Sequence, residues 1–180
     1  MRKIIAVGGR PGVGKTTLFR EFMAPFTWEE VEPKKTLSSM YCKELDLYVL
    51  GKYQEGEVFA GTDRLSMSVQ PMAIEFFKET TSNILFEGDR IFNQSFLEFC
   101  SELPDVEFDI LYLTVGESTL KSRYAERGSN QSDKFLSGRE TKYSNITGNF
   151  ELRQYLSEYK NENKEQQGKI LSFINSRLIG

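Results

Sequence analysis

A three-layer α/β fold is predicted, with a mainly parallel five-stranded sheet between helices and a mobile basic lid; three observations predict it. The apolar run Ile4-Ile5-Ala6-Val7 leads straight into a glycine-rich loop, Gly9-Arg10-Pro11-Gly12-Val13-Gly14-Lys15-Thr16. Apolar segments that end in polar residues then alternate with stretches of helical spacing, the pattern of parallel strands joined by crossover helices. A polar stretch beginning near Arg123 gathers Arg123, Arg127, Lys134, Arg139 and Lys142.

The elements follow in order. Strand 1 is read over residues 3–7, and a first helix over 14–23, where Thr17 to Met23 is amphipathic and Pro25 ends it. Leu45 to Tyr53 alternates as a half-exposed strand, and 37–42 pairs with it as a hairpin. Residues 69–80 have helical spacing, with Met72, Ala73, Phe76 and Phe77 on one face and Pro71 tolerated in the first turn. Asn83 to Asp89 is an apolar run ending in acids, the clearest buried strand, expected beside strand 1. A helix over 94–103 stops near Pro104, a strand covers 108–115, and Glu117–Arg127 is helical. Residues 128–147 read as a polar flap. The remainder reads as two helices, 150–161 and 166–178, with residues 169–173 as an alternative edge strand.

Composition narrows the function. The 180 residues, 39% of them hydrophobic, suit one domain spanning 1–180, with the lid at about 123–147. No apolar stretch approaches the length of a membrane span, and no secretory leader is read, so a soluble cytoplasmic protein is expected. Cys42 and Cys100 lie outside any C-x-x-C spacing and read as reduced, half-buried residues. The chain has no histidine, which removes Ser-His-Asp triads and His-ligated metals and leaves acid-base work to carboxylates. The net charge of −3 argues mildly against an open nucleic-acid surface, though not against a local basic groove.

Gly9–Thr16 satisfies G-x-x-x-x-G-K-[ST] between a strand and a helix, the context in which this motif cradles nucleoside triphosphates. Its glycines let backbone N–H groups turn toward phosphate oxygens, and the helix behind adds its positive end. Nucleotide-binding residues are thus Gly9, Arg10, Pro11, Gly12, Val13, Gly14, Lys15, Thr16 and Thr17, with Lys15 reaching the β- and γ-phosphates and Thr16 holding Mg²⁺. In open α/β sheets ligands sit beyond the carboxyl ends of strands, which singles out Asp63, Arg64, Glu87, Asp89 and Arg90. Glu87 stands where an acid ordering Mg²⁺ and its water belongs, or at a merely solvated strand end. Asp63 is the first choice of base for a substrate hydroxyl, or a helix N-cap for the segment from Leu65, or both. Arg123 and Arg127, four apart on one helix face, form a phosphate clamp that Arg139 and Lys142 extend, or ordinary solvated charge. Tyr41, Phe59 and Phe92 are candidates to stack a base, or core residues.

Taken together, the loop, the strand ending Phe86-Glu87-Gly88-Asp89-Arg90 and the Arg123-x-x-x-Arg127 pair resemble the small P-loop nucleoside and nucleotide kinases, thymidylate kinases among them, over most of the chain. The segment Gly61-Thr62-Asp63-Arg64-Leu65-Ser66, with Asn130-Gln131 and Thr141-Lys142, is similar to bacteriophage kinases that phosphorylate 5-hydroxymethyluracil in DNA. That resemblance implies a P-loop NTPase fold, ATP and Mg²⁺ as cofactors, catalytic roles for Lys15, Asp63, Glu87, Arg123 and Arg127, and substrate contacts from Arg64, Asp89, Arg90, Arg139 and Lys142. The acceptor it implies is the hydroxymethyl group of a base in DNA. A free nucleoside or nucleoside monophosphate is the alternative acceptor, and a nucleotide-driven switch without acceptor the third reading.

Overall fold

The computed structural model describes residues 1–57, 60–127 and 141–180, and of Arg127 the backbone alone. The sequence reading of Phe59, Arg139, the lid residues 128–140 and the Arg127 side chain lies outside them.

Strand β1 (Arg2–Gly9) stands at the middle of the sheet because beyond Arg2 and Lys3 it has no polar side chain to solvate, and Ile4 to Val7 are wholly buried. The five parallel strands run β4-β5-β1-β6-β7, where β4 is Leu47–Leu50, β5 Asn83–Glu87, β6 Val106–Thr114 and β7 Leu156–Lys160. Beyond β4, an antiparallel extension of β2 (Glu29–Val31) and β3 (Ser39–Cys42) makes seven strands. The mainly parallel sheet is therefore present, but with seven strands rather than five: β7 and the short edge strand β2, in the acidic segment after Trp28, were not expected as strands. The hairpin expected between 37–42 and the next strand forms as β3 and β4, though β4 is shorter than 45–53.

Alternation along β1 divides the core. Ile4 and Ala6 face one helical layer and Ile5 and Val7 the other, as a period of two requires. The first layer holds α2 (Gln70–Glu79), α3 (Gln94–Glu102) and α5, helical over 141–147, packed through Ala73, Phe76, Phe77, Phe96, Leu97, Cys100 and Ile146. The second holds α1 (Lys15–Met23), α4 (Glu117–Arg127) and α6 (Lys164–Leu178), packed through Leu18, Phe19, Phe22, Leu120, Ile170, Ile174 and Leu178. Asn93 and Asn163 cap α3 and α6, each accepting from the N–H three residues on at 2.9 Å.

Four readings are corrected. Residues 150–161 are not a helix: Leu156–Lys160 pairs in parallel with β6, where Leu156 packs against one core layer and Tyr159 against the other, and the edge position leaves Ser157, Glu158 and Lys160 exposed. Residues 169–173 are not a strand, since Ile170, Ile174 and Leu178 recur every four residues along α6. Within the expected flap, 141–147 is helical and buries Ile146. Both cysteines are reduced and 1% exposed rather than half-buried.

Candidate active site

The carboxyl ends of β1, β5, β6 and β7 converge on the glycine-rich loop. Gly14 precedes α1 with a φ of 93°, a conformation that a side chain disfavours, and a Cβ there would lie 2.6 Å from Asn161 Nδ2. Lys15 Nζ donates to the carbonyls of Gly9 (2.6 Å) and Arg10 (3.2 Å), so the ammonium spans the loop. Thr16 Oγ1 donates to Glu87 Oε1 at 3.0 Å, joining the first turn of α1 to the end of β5.

Glu87 is 2% exposed, and its Oε2 is buried without a hydrogen-bond partner among the described residues. Burial raises its carboxyl from 4.5 to about 7, against the opposing pull of Lys15 and the Thr16 hydroxyl, with Asp63 adding to the rise. The Tyr53 phenol lies against it, and burial, reinforced by that carboxylate, pushes the phenol well above its usual range. The packing is close enough to need Gly61: at φ 74° a Cβ would stand 2.9 Å from Glu87 Cγ.

The segment after Gly61 is stitched to the same strand end. Thr62 Oγ1 donates to Glu87 O at 2.7 Å, and Asp63 Oδ1 accepts from Asp89 N at 2.8 Å. Asp63 therefore caps no helix from Leu65: it lies in a 3₁₀ turn, Leu65 is extended, and α2 starts at Gln70. Arg64 is ion-paired with Glu57, and Arg90 Nε donates to Leu65 O at 3.1 Å. Both arginines, expected to contact substrate, have protein partners here.

From α4, Arg123 points at the loop's outer backbone: Nη1 donates to Gly12 O at 2.7 Å and Nη2 to Asn161 O at 3.0 Å. Arg10 pairs with Glu117 at 2.7 Å. On the other side of the loop a small cleft, partly open to solvent, is lined by Gly9, Arg10, Asp89, Phe92, Tyr112, Lys142, Tyr143 and Ile146. Tyr112 and Tyr143 stack with centroids 3.7 Å apart and planes 14° from parallel, and Tyr143 also hydrogen-bonds Glu158. Lys142 Nζ donates to Asp89 O at 3.1 Å and lies 3.8 Å from its carboxylate.

The structure thus gathers Lys15, Thr16, Asp63, Glu87, Asp89, Phe92 and Lys142. It does not bring Tyr41 there: the register pairs Tyr41 with Tyr48 and Tyr48 with Ile84, toward the start of β5, and its hydroxyl donates to Asp46 at 2.9 Å. Sequence reasoning missed Tyr53, Tyr112, Tyr143 and Asn161. Tyr112 looks like any core residue of a strand, Tyr143 sits in a polar stretch, and no motif marks Asn161.

Comparisons with known proteins bear on the same architecture. The chain is similar in structure to an uncharacterized protein from Eubacterium ventriosum ATCC 27560, at 13% identity and a TM-score of 0.49, covering 98% of this chain and 100% of that one. It is also similar to a shikimate kinase from Bacteroides thetaiotaomicron, at 14% identity, a TM-score of 0.47 and 98% coverage of both. A search of curated proteins finds no match. The family model described as P-loop Nucleotide Kinase3 matches residues 1–174, and the chain belongs to that P-loop kinase family.

Proposed function

We propose that the protein transfers the γ-phosphate of ATP, with Mg²⁺, to the hydroxymethyl group of 5-hydroxymethyluracil in DNA. The observation that carries the acceptor side is the cleft of Phe92, Tyr112 and Tyr143 beside the phosphate loop, a wall suited to a flat ring, with Asp89 and Lys142 at its lip for a ring's polar edge. A base in duplex DNA must leave the stack to enter such a cleft, at a cost of a few kcal/mol.

The donor side fits the metal and nucleotide by its chemistry. The buried Glu87 Oε2, without a partner among the described residues, stands beside Thr16, and the two would hold Mg²⁺ and its water, with phosphate supplying further oxygens. When bound, Mg·ATP supplies the transferable phosphoryl group and screens its charge. Lys15 compensates the negative charge that builds on the phosphoryl oxygens. Asp63, with one oxygen held by Asp89 N–H, uses the other to orient the acceptor hydroxyl and take its proton as the new O–P bond forms and the bond to the departing diphosphate breaks. Arg127, one helical turn beyond Arg123, is the proposed clamp on that phosphoryl group, and Arg64, Arg90 and Arg139 are the proposed contacts to the acceptor's backbone.

A free nucleoside or monophosphate as acceptor is the second reading, favoured by the net charge of −3 and by the nucleotide kinase family model. The test is transfer of labelled γ-phosphate from Mg·ATP to 5-hydroxymethyluracil DNA, unmodified DNA, pyrimidine nucleosides and their monophosphates. Label in the modified DNA alone supports the proposal; label in a small acceptor with DNA untouched overturns it in favour of the second reading. Phosphate release without transfer to any acceptor turns the protein into a nucleotide-driven switch. No helix among the described residues is long and apolar enough to cross a membrane.

A further inference from the structure

Asn161 follows the last residue of β7, at the carboxyl end of the sheet, and is 2% exposed. Its N–H donates to Thr114 O at 2.9 Å, which fixes its backbone to the end of β6. Its side-chain Nδ2 donates to Val13 O at 2.7 Å across 148 residues of sequence. Its own carbonyl accepts from Arg123 Nη2 at 3.0 Å, and the other arm of that guanidinium donates to Gly12 O at 2.7 Å. Two consecutive carbonyls of the phosphate loop, Gly12 and Val13, are thereby held by two side chains, and Arg123 also holds the backbone of Asn161.

The geometry points to Asn161 and Arg123 as positioning residues of the phosphate loop. A peptide unit carries its C=O and N–H on opposite sides, so a carbonyl pinned outward fixes the direction in which the following N–H points. With Gly12 O and Val13 O drawn toward Arg123 and Asn161, the N–H groups of Val13 and Gly14 turn to the other side: that of Val13 closes the loop's own turn onto Arg10 O at 3.3 Å, and that of Gly14 faces where a phosphate-binding loop needs its donors. Only an amide nitrogen, not an oxygen, suits the place facing Val13 O. The same amide leaves Oδ1 buried with no partner among the described residues, so this side chain is a poor device for stability alone. Gly14 leaves no room for a Cβ beside Nδ2, so loop and strap fit each other closely.

The inference rests on the reading of Gly9–Thr16 as a phosphate site, and its test needs no acceptor. Titrating the full chain with Mg·ATP, Mg·GTP and inorganic tripolyphosphate separates a loop role from recognition of the nucleobase. In Asn161→Ala all three weaken by about the same factor, on the order of tenfold, and the preference between ATP and GTP stays that of the wild type. Arg123→Lys keeps the charge but cannot bridge two carbonyls, and gives the same pattern. Because both side chains hold one turn, the double variant loses little more than either single one. Tripolyphosphate binding unchanged in both variants overturns the inference, as does a loss confined to ATP. A weakening that only follows the fraction of unfolded protein, read from thermal melts of the same samples, overturns it as well. A wild type that binds tripolyphosphate but labels no acceptor leaves the strap standing and defeats the proposed function; a wild type that binds no polyphosphate removes both.

Discussion

The donor side of the site and the acceptor side are built differently. On the donor side a contiguous run, Gly9–Thr16, supplies the cradle, and the groups around it are tied directly: Lys15 to the loop carbonyls, Thr16 to Glu87, Arg123 to Gly12 and Asn161 to Val13. The acceptor side takes single residues from separate elements, Asp63, Asp89, Phe92, Tyr112, Lys142 and Tyr143. Its ties join one such residue to another: Asp63 to the N–H of Asp89, Tyr112 to Tyr143 through the ring stack, and Lys142 to Asp89. A triphosphate is the same for every enzyme that uses one, so one backbone shape serves it; an acceptor is particular, and its cleft is assembled from whatever side chains line the space.

The sharpest way to test that difference is Lys15→Ala. Loss of this charge should lower transfer to every acceptor by on the order of a thousandfold while the fold survives, measured as labelled phosphate transferred beside an unchanged melting curve. A variant as active as the wild type breaks the donor assignment altogether. Asp63→Asn lies on the other side of the comparison and should lower kcat by about a hundredfold with nucleotide affinity nearly intact. Equal losses in kcat and in ATP affinity would instead make Asp63 part of the donor machinery.

Glu87 sits at the seam and has a pH signature. In the folded, ligand-free protein its carboxyl holds a proton up to about 7, whereas unfolded it releases that proton near 4.5. The native state therefore binds the extra proton between these values, and stability falls as pH rises through that window. Glu87→Gln removes the dependence, so relative to the wild type it should gain up to about 3 kcal/mol between pH 4 and pH 8, read from denaturant melts. Parallel stability curves for the two proteins would show that the buried carboxyl is compensated by some other group. The smallest effect is expected at Tyr143: Tyr143→Ala should raise the acceptor KM by about tenfold and leave the ATP KM alone, while Tyr143→Phe, which keeps the ring, should change little.

The same contrast explains what the sequence made legible. The phosphate loop could be read because its chemistry requires fixed residues at fixed spacing, and the central strands because an apolar run with no polar partner must be buried. β7 could not be read that way. Leu152, Leu156 and Tyr159 recur at steps of four and three, the spacing of a helix, and only the exposed edge of β6 converts Leu156–Lys160 into a strand. The acceptor cleft was half legible: Asp63, Asp89, Phe92 and Lys142 stood near strand ends or in the lid, but Tyr112 needed the register Gly8↔Tyr112 and Tyr143 the packing of α5 to be placed there. Asn161 had no local signal, because its partner Val13 is distant in sequence and the bond exists only after the sheet is complete.

The bond between Asn161 and Val13 also sets an order of events during synthesis. β1 leaves the ribosome first, yet its two sheet neighbours are β5 and β6, and β7 adds to β6 later still. Chain closures over such distances are slow, and the unpaired edges of β1 stay exposed while they are pending. The phosphate loop is thus made before β5, β6 and β7 and acquires its final shape only after them, so a nascent chain should not compete for cellular nucleotide until Asn161 has emerged.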